Sequence, residues 1–252
     1  NNSNEHYKYL INLIKNQKNI YVEKPICTTM EEAKIIKKKL RLFKKKLHVG
    51  YQFRENKCIN FLKNYISKNR NKIVFVSAYS GENVKKYHKG ENYIRSYTVK
   101  KKDGGGVLLT QSHQIDYLTY LFGKFKSIKS LSANNNKKFN LKSNVEGNVS
   151  YILKTNDDIL INCNLNYFAQ KKTYLYIKCL DETIFWNNEK NEITLERKNK
   201  IKKKFFQTRE DMFKKKIKNF LVNKKEKKVD NKIFDIINVI TKIKYDFKKK
   251  KY

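Results

Sequence analysis

The sequence predicts an α/β unit followed by an α+β unit, and three observations predict it. Over residues 4–52 the apolar positions run helix, strand, helix, strand, the cadence of βαβ units built on a parallel sheet. From residue 126 to 197 the apolar period changes to two, with Asn- and Asp-rich turns between the runs, as in a mostly antiparallel sheet. Two amphipathic stretches, about 209–222 and 231–247, then close the chain as flanking helices. A length of 252 residues fits two modest domains, 1–52 and 53–252.

In order, Tyr7, Leu10, Ile11 and Ile14 mark a first helix that Ser3 or Asn4 could cap. A strand at 20–22 ends at Glu23, Lys24 and Pro25, the only proline in the chain. Proline removes a donor and keeps the residue before it out of helical geometry, so the strand stops there with Lys24 at its carboxyl edge. Thr28, Thr29, Glu31 and Glu32 supply capping boxes for a helix to about residue 45, with Ala33, Ile36, Leu40 and Phe43 inward. A strand at 47–52, a helix at 55–68 and a strand at 72–80 follow. Residues 81–103 are a long basic connection rich in tyrosine, containing Tyr87, His88, Tyr93, Arg95 and Tyr97; loops of this length in compact domains are functional or disordered. Gly104, Gly105 and Gly106 open a single helix predicted to run to 122, where Gly123 stops it. Strands are then expected at 127–132, 147–154, 159–167, 173–179, 183–187 and 192–196.

The net charge of +35 raises a polyanion-binding reading. Against it, the excess is lysine rather than arginine, in short scattered runs, beside heavy Asn, Ile, Tyr and Phe usage, the pattern of A+T-rich codons. In such a background the clustered glycines and the sole proline are retained for backbone reasons. Four dispersed cysteines lack zinc-type spacing and read as reduced core thiols of a cytoplasmic protein with no metal site. No apolar run is long enough to span a membrane.

Asn2 and His6, the Glu23-Lys24-Pro25 corner, Gln52 and Arg54 after a strand, the three glycines, and His113 with Asp116 occur in the order and spacing of the Gfo/Idh/MocA oxidoreductases, which the chain resembles along essentially its whole length. The resemblance implies a C-terminal remnant of a Rossmann dinucleotide-binding domain over 1–52, then an α+β substrate and oligomerisation domain. It implies NAD or NADP as cofactor and hydride transfer to or from a sugar or sugar-derivative carbon. The tract 87–97 is similar to members of surface-polysaccharide and amino-sugar pathways. Lys24 and His113 take the catalytic roles, and Asp116, Arg54, Gln52, Tyr93 and Arg95 are carried over as substrate-binding. Asn2, His6, Glu23, Lys24 and Pro25 are carried over as cofactor-binding. Homo-oligomers through the second domain's sheet are implied, with no membrane or nucleic-acid partner.

Lys24, at a strand's carboxyl edge, can hydrogen-bond the reacting hydroxyl and shift its pKa if desolvated. His113 and Asp116 share a helix face, where a carboxylate could orient the imidazole; a buried histidine merely satisfied by Asp116 fits the spacing too. The glycines read either as a flexible helix start or as a close backbone approach to a ligand. Two departures stand out. Leu109 occupies the place where many members carry an aspartate, and no Gly-x-Gly-x-x-Gly follows a strand, which predicts a chain truncated at its amino end. A catalytically impaired sugar-binding fragment and a basic polyanion-binding module are the alternatives.

Overall fold

The computed structural model describes residues 2–87, 90–133, 135–222 and 230–249; His88 lies outside them. Helix α1 (His6–Lys15) packs on α2 (Met30–Lys39), and strand β1 (Ile20–Val22) pairs in parallel with β2 (Leu47–Val49), Ile20 opposite Leu47. Glu5, not Ser3 or Asn4, occupies the cap of α1, without a side-chain cap bond. The capping box of α2 forms between Thr29 and Glu32, but α2 ends at Lys39 and tightens into a 3-10 turn before buried Phe43.

Helix α3 (Lys57–Asn69), capped by Asn56, leads into β3 (Ile73–Gly81). Val84–Lys86, Tyr93–Arg95, Tyr97–Val99 and Lys101–Asp103 then form single 3-10 turns, the first three capped by Asn83, Asn92 and Ser96. Next come α4 (Val107–Thr110), α5 (His113–Phe122), β4 (Phe125–Ser132), β5 (Asn148–Thr155), β6 (Leu160–Asn166), β7 (Lys172–Cys179), β8 (Thr183–Asn187), β9 (Glu192–Glu196) and β10 (Lys200–Lys204). Helices α6 (Arg209–Val222) and α7 (Ile233–Lys249) end the chain.

Strands β3 to β10 make one sheet in the order β10-β9-β8-β7-β3-β6-β5-β4, antiparallel except where β3 runs beside β6. Pairing β3 with β6 rather than with its sequence neighbour places its carboxyl end, Ser80 and Gly81, in the middle of the sheet. β10 escapes a pattern-based reading because every residue of it is exposed; only backbone pairing to β9 defines it.

Alternation decides which face is covered. Val76, Ile161, Leu153, Ile177 and Trp186 point under α3, α5 and α7 and are fully buried, each such side chain contributing about 1.5–3 kcal/mol. All four cysteines are buried and unpaired. Helix α6 turns back onto the first unit, where Phe220 packs edge-on against Tyr21 and His48 at 5.9 and 5.3 Å. The carboxyl edge of β1–β2 is thereby held facing the end of β3. Among the described residues no helix is long and apolar enough to cross a membrane.

Candidate active site

The expected single helix from 105 to 122 is broken at Gln111 and Ser112, and the break builds the site. The Gln111 side chain donates to Tyr87 Oη at 2.7 Å and to the Asn166 carbonyl at 3.2 Å, drawing that residue out of the helix. Gln114 N–H accordingly bonds to the Gln111 carbonyl instead of to Thr110. The Thr110 carbonyl is left to accept from Lys24 Nζ, which reaches it from the corner after β1. That corner turns through a cis Lys24–Pro25 bond, and the Pro25 carbonyl is held by His6 Nδ1 at 2.7 Å. Burial lowers the Lys24 ammonium to about 8, with Glu23 opposing the shift and Arg209 adding to it.

The break also places His113 at the first turn of α5, edge-on to the rings of Tyr51 and Phe53 at 5.9 and 5.4 Å. Burial, then the charges of Lys24 and Arg209, hold its imidazole well below its ordinary pKa. His113 is therefore neutral at neutral pH, able to accept a proton. Its Nδ1 is buried without a hydrogen-bond partner among the described residues. Lys24 and His113 line the same cleft of about 450 Å³, which opens between the edge of β1 and the ends of β3, β7 and β8.

The other sequence-derived residues divide. Gln52 and Glu23 line the cleft, and Gln52 is buried with its Oε1 unpartnered. His6 lines it too, whereas Pro25 lies behind it and Asn2 only bonds locally to Glu5. Asp116 does not orient His113 or meet the cleft. It is fully buried, and its Oδ1 accepts from Arg54 Nε at 2.9 Å and from a terminal guanidinium nitrogen at 2.7 Å. Arg54 also grips Asp230 at 2.5 Å, so this arginine is spent on a structural triad rather than on substrate. Tyr93 and Arg95 sit on the outer loop, Tyr93 Oη accepting from Lys142 N–H at 3.3 Å and Arg95 exposed; their neighbours Tyr87 and Tyr97 reach the cleft instead.

The glycines serve the chain's own packing. A Cβ on Gly105 would strike the carbonyls of Tyr97 and Thr98, and one on Gly106, at φ +109°, would strike the Glu146 carboxylate. The close backbone approach is thus to the 97–98 turn and Glu146, not to a ligand.

Lys171, Thr173, Asn188 and Arg209 complete the cleft, and sequence reasoning did not select them. They come from strand ends and a helix start separated by long stretches of chain. Arginine's scarcity, six residues in so lysine-rich a chain, is the signal that could have marked Arg209.

For a dinucleotide, the residues present fit its reactive end. Ser3, His6, Glu23 and Lys24 wall one side of the cleft. Among the described residues no glycine cradle opens for a pyrophosphate, since the space beside Gly50 holds the Glu23 carboxylate and that beside Gly104 holds Ser3 and Thr28.

Residues 72–235 match the family model described as the oxidoreductase family, C-terminal alpha/beta domain, and residues 1–51 match that of the oxidoreductase family, NAD-binding Rossmann fold. No curated protein sequence matches the chain. Among solved structures, the fold superimposes on an NAD binding oxidoreductase from Klebsiella pneumoniae with a TM-score of 0.83 at 11% identity, covering 100% of this chain and 77% of that one. A levoglucosan dehydrogenase in complex with NADH and levoglucosan gives a TM-score of 0.84 at 15% identity, covering 99% and 77%. An aldose-aldose oxidoreductase from Caulobacter crescentus complexed with glycerol gives 0.84 at 13% identity, covering 98% and 75%.

Proposed function

Because the chain belongs to the Gfo/Idh/MocA oxidoreductase family, we propose that it serves hydride transfer between NAD(P) and a hydroxyl-bearing carbon of a sugar or sugar derivative, in surface-polysaccharide or amino-sugar biosynthesis. The observation that carries this is the convergence of Lys24 and His113 on one cleft, the first a cation desolvated at the sheet edge, the second kept neutral. The nicotinamide, when bound, accepts or gives the hydride.

The chain's own residues handle the proton. In the oxidative direction the neutral imidazole of His113 takes the proton from the substrate hydroxyl, and the Lys24 ammonium stabilises the charge growing on that oxygen. The Thr110 carbonyl anchors Lys24 Nζ. Gln52 Oε1 accepts from a second hydroxyl, and Asn188 and Thr173 line the far side where further hydroxyls would bind. Ser3, His6 and Glu23 form the wall that would hold the nicotinamide. Two relatives in fold, named for levoglucosan and for aldoses, support the choice of sugar as substrate class.

Incubating the protein with NAD and NADP and a panel of aldoses, amino sugars and uronates should give reduced cofactor with at least one of them. If no sugar is turned over while non-sugar alcohols are, the sugar assignment fails.

We also propose that the uncovered face of the sheet mediates a homodimer. It carries the stacked rings of Tyr79 and Tyr174, 5.2 Å apart, beside exposed Leu131, Ile152 and Leu160, an apolar surface of the kind that marks interfaces. Sedimentation should show a dimer that Ile152→Arg dissociates; a monomeric wild type would contradict it.

A further inference from the structure

We propose that the substrate carries a carboxylate and that Arg209 binds it; this rests on the sugar-cleft reading above and narrows it. The charges lining the cleft do not balance without a ligand. Lys171 is paired with Glu82 at 3.1 Å, and Lys24 lies beside Glu23, its neighbour in the chain. Arg209 lines the cleft from an exposed position, has no carboxylate partner among the described residues, and lies over the Phe213 ring at 5.5 Å.

The use of arginine sharpens the point. Arg54, Arg70 and Arg197 each hold a carboxylate through two nitrogens of the guanidinium. That fork matches carboxylate and phosphate geometry in a way a lysine ammonium does not. Arg41, Arg95 and Arg209 have no such acceptor among the described residues, and of these three only Arg209 lines the cleft.

Its backbone is fixed in place. Thr208 and Asp211 cap the start of α6 reciprocally. Gln207 donates to the Glu55 carbonyl at 3.0 Å, while its own carbonyl accepts from Asn191 at 3.0 Å. Those tethers put Arg209 at the sheet end of the cleft with Asn188 and Thr173, whereas Ser3, His6 and Glu23 form the wall proposed for the nicotinamide. An anion at Arg209 therefore belongs to the substrate rather than to a cofactor phosphate. The influence of Arg209 on both Lys24 and His113 places it within electrostatic reach of the reacting groups, so an anion bound there would also steady the Lys24 ammonium.

The test is equilibrium binding followed by calorimetry and by fluorescence of Trp186, the single tryptophan, which packs at 5.4 and 5.9 Å on the cleft residues Tyr117 and Phe53. The probes are D-glucuronate, D-glucose and nicotinamide mononucleotide. Glucuronate should bind more tightly than glucose, and Arg209→Ala should weaken glucuronate by roughly ten- to hundred-fold while leaving glucose affinity and the unfolding midpoint unchanged. Arg209→Lys should fall between. Equal affinities for the two sugars, or indifference of glucuronate to Arg209→Ala, overturn the proposal. A loss confined to nicotinamide mononucleotide moves Arg209 to the cofactor and overturns it as well. Failure of both sugars to bind overturns the sugar reading on which it rests, and the proposal with it.

Discussion

Replacing Lys24 by methionine should lower turnover by roughly 10²- to 10⁴-fold without unfolding the protein, since the methionine retains most of the apolar stem and removes the ammonium together with its bond to the Thr110 carbonyl. The pH dependence supplies a finer signature. Lys24 stabilises the developing alkoxide as an ammonium and titrates near 8, so oxidation should fall as pH rises through about 8. His113 acts as the neutral imidazole and is held well below 6.5, so activity should persist as pH falls through that value. In Lys24→Met the alkaline limb should vanish along with most of the rate. The folding side has a definite sign. A lysine whose pKa is lower folded than unfolded binds fewer protons in the native state, so stability rises with pH between about 8 and 10.5. Denaturant titrations of the wild type should show that rise, and those of Lys24→Met should lack its Lys24 component. A variant with wild-type turnover would remove Lys24 from the chemistry.

Arg54→Ala should destabilise the fold by about 3–5 kcal/mol, the cost of leaving one partner of a buried ion pair alone. Asp116 has no exposure, and burial already raises its carboxyl despite the guanidinium beside it. Without Arg54 the only inexpensive state is the protonated one. The destabilisation should therefore shrink as pH falls, and Asp116→Asn placed on top of Arg54→Ala should recover part of it. Because Arg54 joins the turn after β2 to α5 through Asp116, and to the segment before α7 through Asp230, its loss should also loosen His113. An urea midpoint within error of the wild type would show that the triad is not a structural tie.

The fold was legible where pattern is strong. The alternation of Val149, Tyr151 and Leu153 in β5, or of Ile161, Cys163 and Leu165 in β6, follows from one covered face, and the Thr29–Glu32 capping box follows from local spacing. Lys24 and His113 were legible through the resemblance, and both line the cleft. What spacing could not reveal was the break at Gln111, because its cause is two hydrogen bonds to Tyr87 and Asn166, both remote in sequence. The same limit explains Asp116. Helical spacing placed it one turn from His113, but Arg54 takes its carboxylate at 2.7 Å. Arg209 was missed for a related reason, since the start of α6 is held at the cleft by bonds of Gln207 to Glu55 and Asn191, which the fold rather than spacing sets.

The account turns on His113 being a neutral base beside a charged Lys24, and titrating the imidazole resonances by NMR tests this most directly, with His113→Gln identifying the signal. The prediction is a His113 that stays unprotonated as pH falls through 6.5, and that titrates at higher pH once Lys24→Met removes the neighbouring charge. A His113 titrating at its ordinary value, or one indifferent to Lys24→Met, would contradict the proposed pair.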